Sequence, residues 1–294
     1  MLLGFLLSTS VATVQPATRL MASSAAGSGA AGQPAQKAAL KPAAAKASAT
    51  WFDVQTEEQL LAFANQSRQQ AGAPPLTRDA GLSQAARIHA QAMLRSQRLS
   101  HQLDGEPSLP QRLAATTQLQ LEEEGENVAL DYDAQHGHEH LMHSPPHRAN
   151  LLNPAYNVVG LGVARNGEQL YIVQDFGSAL PKYSAVEVKA QVAAALTQIR
   201  RQAGQPQLRR HDWRGADDAA CSMAQADKLV MPSSTKLGES LSLLTYTTSH
   251  PETLPGGADQ AVAGGNLRSF SIGACFGRTP TYPTGTYWVV LSLA

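Results

Sequence analysis

Part of this chain is written twice, and that limits its architecture more than any single motif does. Gln66, Arg68, Gln70, Ala71, Gly72, Pro74, Leu76 and Arg78 recur, in order and at identical spacing, as Gln198, Arg200, Gln202, Ala203, Gly204, Pro206, Leu208 and Arg210. Each stretch is an amphipathic helix closed by glycine, with proline blocking its continuation. The echo goes on. Ala219–Ala224 sits where Ala85–Ala90 sits in the first stretch, and the segments 268–276 and 286–293 echo the hairpin that closes the first half. We read a second, degenerate copy of one domain; the alternative is chance likeness of two helices ending in Gly-x-Pro.

Taken in order, the chain divides into four parts. Residues 1–21 open with an apolar run, Leu2-Leu3-Gly4-Phe5-Leu6-Leu7, which has the texture of a signal peptide and is too short to anchor in a bilayer. No Lys or Arg precedes it, and a weak apolar terminus without a targeting role is the other reading. Residues 22–50 are almost wholly Ala, Ser, Gly, Pro, Gln and Lys, too poor in apolar surface to offset chain entropy, and are expected to be a disordered linker. Residues 51–181 form the first domain and 182–294 the degenerate copy. The expected location is secreted, periplasmic or in the cell envelope, with no stable transmembrane anchor. The formal net charge of +0 gives no electrostatic reason to expect nucleic acid.

In 51–181 the reading is helices first and an antiparallel hairpin last, an α+β arrangement. Thr56 is expected to cap a helix through Arg68, a second helix starts near Ala80 and carries Leu82, Ala85, Ala86, His89, Ala90, Met93 and Leu94 at helical spacing, and residues 109–118 and 134–143 are helical. Residues 145–154 read as a proline-punctuated turn, and Arg165-Asn166-Gly167-Glu168 as a hairpin turn between two strands.

Three ionisable residues lie outside periodic runs: His101, Glu126 in Gly125-Glu126-Asn127, and His147 after Pro145-Pro146. Each reads as sitting where the backbone bends, so folding is expected to assemble them. Two imidazoles and a carboxylate suit zinc or another divalent metal, or a water poised for general-base attack. Loop support without chemistry is the plainer alternative. His136, His140 and His143 share a face at helical spacing and form a second, weaker metal candidate beside a plain solvated helix.

The segment 57–177 resembles the CAP superfamily (cysteine-rich secretory, antigen 5, pathogenesis-related 1; SCP-like), in its cysteine-poor bacterial branch. The resemblance rests on Asn65-Gln66-Ser67-Arg68, Ser100-His101 with Asp104-Gly105, Gly125-Glu126-Asn127, Ser144 through Pro154, and Gly160-Leu161-Gly162-Val163. It implies an α/β/α sandwich, export, and a cavity to which His101, His147 and Glu126 contribute. The family's second glutamate has no match, for Ser144 stands near its place and Leu141 stands where tryptophan is usual. In the second copy His250 is the only loosely comparable histidine, and Cys221 and Cys275 either bridge a helix to a strand or stay as two buried thiols.

The leading functional expectation is an extracytoplasmic binding or interaction module that takes a small ligand, a lipid or an envelope component, with or without a divalent metal. A metal-assisted, peptidase-like hydrolase and a structural envelope component are the rivals.

Overall fold

The computed structural model describes residues 52–231 and 242–294, so the signal-like segment 1–21 and the linker 22–50 lie outside the described residues. The chain is α+β. Its first half runs α1 (Val54–Ala71), β1 (Thr77–Arg78), α2 (Ala80–Ser96), α3 (Leu109–Thr116), β2 (Gln120–Asp131), α4 (Ala134–His143), α5 (Pro145–Leu152), β3 (Val158–Asn166) and β4 (Gln169–Leu180). The second half runs α6 (Ala185–Gln202), β5 (Arg209–Arg210), α7 (Arg214–Ala226), β6 (Ser242–Thr248), α8 (Ala258–Val262), β7 (Ser269–Gly277) and β8 (Thr286–Leu293).

The sheet orders are β1-β3-β4-β2 and β5-β7-β8-β6. In each sheet a two-residue strand pairs parallel with the first strand of the closing hairpin, and the other pairings are antiparallel. The topology of the first half therefore recurs in the second, as the sequence echo implies. Helices lie against the sheets at very short range. A Cβ on Gly160 would lie 2.1 Å from the Leu82 backbone, one on Gly162 2.2 Å from that of Ala86, and one on Gly273 2.0 Å from that of Ala216. Only glycine permits that approach, and it fixes α2 on β3 and α7 on β7 in the same way.

Each half has its own apolar core. Leu60, Leu161, Ile172 and Phe176 are central in the first, and Val188, Leu196, Tyr287 and Leu291 in the second. Cys221 and Cys275 are bridged, which ties α7 to β7 and settles the choice between bridge and thiols.

Three local expectations are corrected. Asp53, not Thr56, caps α1: its carboxylate accepts from the Thr56 N–H, and Thr56 lies inside the first turn. Residues 145–152 are a helix, because Pro145 and Pro146 occupy its first two positions, where a missing N–H leaves nothing unsatisfied. Gly125-Glu126-Asn127 is not a turn but the middle of β2, paired with Asn127↔Gln174, Glu126↔Asp175 and Gly125↔Phe176. Gly125 is there for space rather than for a left-handed backbone, since a Cβ would meet the Tyr156 hydroxyl at 2.5 Å.

Candidate functional site

Three separate elements bring the predicted residues together. Glu126 points from β2, His101 comes from the loop after α2, and His147 is in the first turn of α5. The α2 residue His89, fully buried, holds the His101 loop: its Nε2 lies 2.9 Å from the Ser100 carbonyl and its Nδ1 2.8 Å from Glu106 Oε1. Asn127 holds α5 by donating to the His147 carbonyl at 3.1 Å, and Asn150 donates back to the Glu126 carbonyl and to Asn127 Oδ1. The Gly-Glu-Asn motif thus serves two purposes, one acidic side chain and one amide that locks the neighbouring helix.

Both oxygens of Glu126 are engaged. Oε1 lies 2.9 Å from His101 Nδ1, and Oε2 accepts from Arg112 of α3. Arg112 also donates to the His101 carbonyl at 3.1 Å and lies 3.7 Å from Glu106. The Glu126 side chain is only 4% exposed whereas that of His101 is 59% exposed, so solvent meets imidazole first and carboxylate second. The rings of His101 and His147 sit 6.3 Å apart, tilted. Burial, with the neighbouring His101 charge, holds His147 below the ordinary imidazole range, so its ring is neutral at pH 7.

Beside Glu126 lies Asp175, its cross-strand partner on β4, fully buried and with the Glu126 carboxyl as its neighbour. Burial first, and the Glu126 charge next, push its carboxyl well above the usual range, while Arg112 pulls the other way. Asp175 therefore holds its proton to higher pH than an ordinary carboxyl. It supplies the second carboxyl that no motif match supplied, although it is sealed from solvent.

The pH consequence has a definite sign. In the unfolded chain Asp175 ionises near its ordinary value of 3.8, whereas in the fold it holds its proton to higher pH. The native state therefore binds more protons, and stability falls as pH rises from that value through the raised folded one. His147 acts oppositely: its lowered folded pKa means stability is lost as pH falls from 6.5 through the folded value. Asp175→Asn keeps the shape without the titration, so the variant should gain on the parent as pH rises. Urea unfolding at several pH values reads this directly, and parallel curves would refute it.

The histidine-rich helix does not bring its rings together. His136 Nδ1 pairs with Asp133 at 2.8 Å, His140 Nδ1 with Asp131 at 2.6 Å, and His143 Nδ1 donates to the Glu139 carbonyl at 2.7 Å. His138 points inward instead, 2.8 Å from Ser67 Oγ, with its Nδ1 buried and unbonded. The ring also packs against Phe63 of α1, so the pair joins α1 to α4. His250 is engaged by Glu122 and Glu252 at the boundary between the halves, far in sequence from any copy of the site.

Glu126 is not a free ligand in this arrangement. It already holds a permanent cation and an imidazole, so a metal that took Glu126 Oε2 would have to displace Arg112 from a buried ion pair, whereas one held by the two imidazoles would not. Among the described residues no three or more of His, Cys, Asp and Glu are disposed to hold a metal ion.

Sequence reasoning missed Arg112, Glu106, His89 and Asp175. Two of them left a signal: His89 is a polar residue on the apolar stripe of α2, and Asp175 is an acid inside the buried run Val173–Phe176.

Residues 61–176 match the family model CAP, described as the cysteine-rich secretory protein family. Among solved structures the chain is similar to an extracellular protein of Bacillus anthracis containing an SCP domain, with 26% identity, 42% of this chain and 40% of that one covered, and a TM-score of 0.38. It is similar to an outer surface protein of Borrelia burgdorferi at 18% identity, covering 42% and 93% of the two chains, with a TM-score of 0.40. It is also similar to a cysteine-rich secretory protein of Staphylococcus aureus at 21% identity, covering 42% and 39%, with a TM-score of 0.34. The chain thus spans 40% and 39% of the length of the Bacillus and Staphylococcus proteins. No curated protein sequence matches it.

Proposed function

Because residues 61–176 form a domain of the CAP family, we propose that the protein is an extracytoplasmic binding module whose site takes a small polar ligand between His101 and His147. The observation that carries this reading is the division of labour at Glu126. Its carboxylate is spent on Arg112 and His101, which fixes the His101 ring, while the neutral His147 ring has no hydrogen-bond partner among the described residues. A neutral imidazole offers one donor and one acceptor, which suits a ligand hydroxyl or amide.

Hydrolysis with Glu126 as the general base would need that carboxylate free to accept a proton from water. Glu126 is occupied by Arg112 and His101 and Asp175 is sealed from solvent, which supports binding over hydrolysis with either carboxyl as base. Export is supported by the disulfide, which persists in oxidising compartments. Among the described residues no helix is long and apolar enough to cross a membrane.

The test is a nuclear magnetic resonance screen of small hydroxyl and amide fragments against the full chain, beside a calorimetric zinc titration. Fragments should shift the His101 and His147 ring signals, His147→Ala should abolish the effect, and zinc should not bind stoichiometrically at micromolar concentration. Tight zinc binding lost in His101→Ala/His147→Ala would overturn the reading in favour of a metal site.

A further inference from the structure

The second half lacks the Gly-Glu-Asn and Ser-Pro-Pro-His segments, yet it is not remote from the site. Among the described residues, the hydrogen bonds between the halves converge on one short stretch, residues 114–122. Arg278, in the loop between β7 and β8, donates through Nη1 to the carbonyls of Ala114 (3.1 Å) and Thr117 (2.9 Å), and through Nη2 to that of Leu119 (3.2 Å). Thr284, buried in the same loop, accepts from the Leu121 N–H at 3.3 Å and donates to the Leu121 carbonyl at 3.2 Å. Gln120 donates to Ser249 Oγ at 3.1 Å, and Glu122 pairs with His250 at 2.6 Å.

That stretch is the link between two site residues. Arg112 lies just before it on α3, and Glu126 lies just after it on β2. Its own half holds it in part, through Leu113 and Leu121 packed on Leu82 and through the Thr117 hydroxyl donating to Asp79. The α3 helix is only 8 residues long, too short to be stable alone. The pairing of β2 with β4 shifts register between Leu121 and Glu124, so the start of β2 lacks a regular ladder. Arg278 adds a cation at the C-terminus of α3, where the Ala114 and Thr117 carbonyls accept from it. The loop that carries it is braced in turn, since Thr281 donates to Asp227 through its N–H at 2.9 Å and its hydroxyl at 2.8 Å.

We propose that the C-terminal half is a clamp for the N-terminal site, with Arg278 as the positioning residue that fixes the 114–122 link and so holds Arg112 against Glu126. A degenerate copy without a site of its own then has a use that does not require one. The clamp stands whether or not the site binds the ligand class proposed above, and its primary readout needs no ligand.

The experiment uses the full chain and compares Arg278→Ala, Arg278→Lys and, as a control elsewhere in the second half, Arg210→Ala. Amide hydrogen exchange across residues 109–127 should speed up at least about tenfold in Arg278→Ala, because three charge-assisted bonds are lost. Lysine, with a single ammonium, should recover only part of the protection. The titration midpoint of His147 should move up toward the ordinary imidazole value as its neighbours loosen, a change that a purely structural contact far from the site would not give. Unchanged exchange over 109–127 with an unmoved His147 midpoint would overturn the proposal. So would faster exchange spread evenly through both halves, which would make Arg278 a general stabiliser. Fragment binding that fails in the parent would count against the ligand reading alone.

Discussion

Arg112→Met is expected to destabilise the protein by about 5 kcal/mol, at the upper end for breaking one partner out of a buried ion pair. Arg112 is 6% exposed and is the only permanent cation touching Glu126 among the described residues. It also lies near Glu106 and offsets the charge pressing on Asp175. Removing it strands three carboxyl groups together with no fixed positive charge. Only protonation relieves them, so the loss should deepen as pH rises. A double variant, Arg112→Met/Glu126→Gln, removes one stranded charge and should recover part of the stability. Urea unfolding of the two variants separates charge from packing: if Arg112→Met loses under about 1 kcal/mol, the pair behaves like an exposed one and the description of the site is wrong.

How much of this was legible beforehand differs by level. The echo of residues 66–78 in 198–210 foretold a repeated topology, because helix, glycine and proline in fixed order admit few arrangements. The positions of His101, Glu126 and His147 were visible as polar residues at non-periodic places, and folding does bring them together. What could not be read was what surrounds them. Glycine before Glu126 looked like a turn, since sequence cannot distinguish a glycine needed for backbone angle from one needed for room beside Tyr156. The double proline looked like a break, although proline at the first two positions starts a helix as readily as it ends one. Arg112 and Asp175 escaped for another reason. Their roles depend on cross-strand register and on a loop contact, which are long-range properties that no local pattern encodes. The same limit applies to the histidine-rich helix, where regular spacing put three rings on one face but local carboxylates and a carbonyl took each ring separately.

Arg68→Met tests the fold where the repeat is most literal, and about 5 kcal/mol or more should be lost there. Arg68 is fully buried yet faces no carboxylate. Its Nε donates to the Pro74 carbonyl at 2.6 Å, Nη1 to those of Leu151 and Asn153 at 2.9 Å each, and Nη2 to that of Tyr156 at 2.8 Å. The charge is met by carbonyl dipoles gathered at the end of α5, where the helix dipole is negative. Methionine fills the volume but leaves four buried acceptors unpaired, and bonds to a charged donor contribute about 1.5–3 kcal/mol each. Arg200 repeats the design in the second half: Nε donates to Pro206 at 2.6 Å, and Nη1 to Val262 at 2.7 Å and Gly264 at 3.0 Å, while Nη2 has no partner. With three bonds in place of four, and one buried N–H already unsatisfied, Arg200→Met should cost less, about 3 kcal/mol. The order of the two losses, measured by urea unfolding, is the decisive result. Equal losses, or a larger one at Arg200, would mean that the carbonyl count does not govern the cost. If the order holds, the arginine has the same task in both halves, tying the first helix to the loop after the short one.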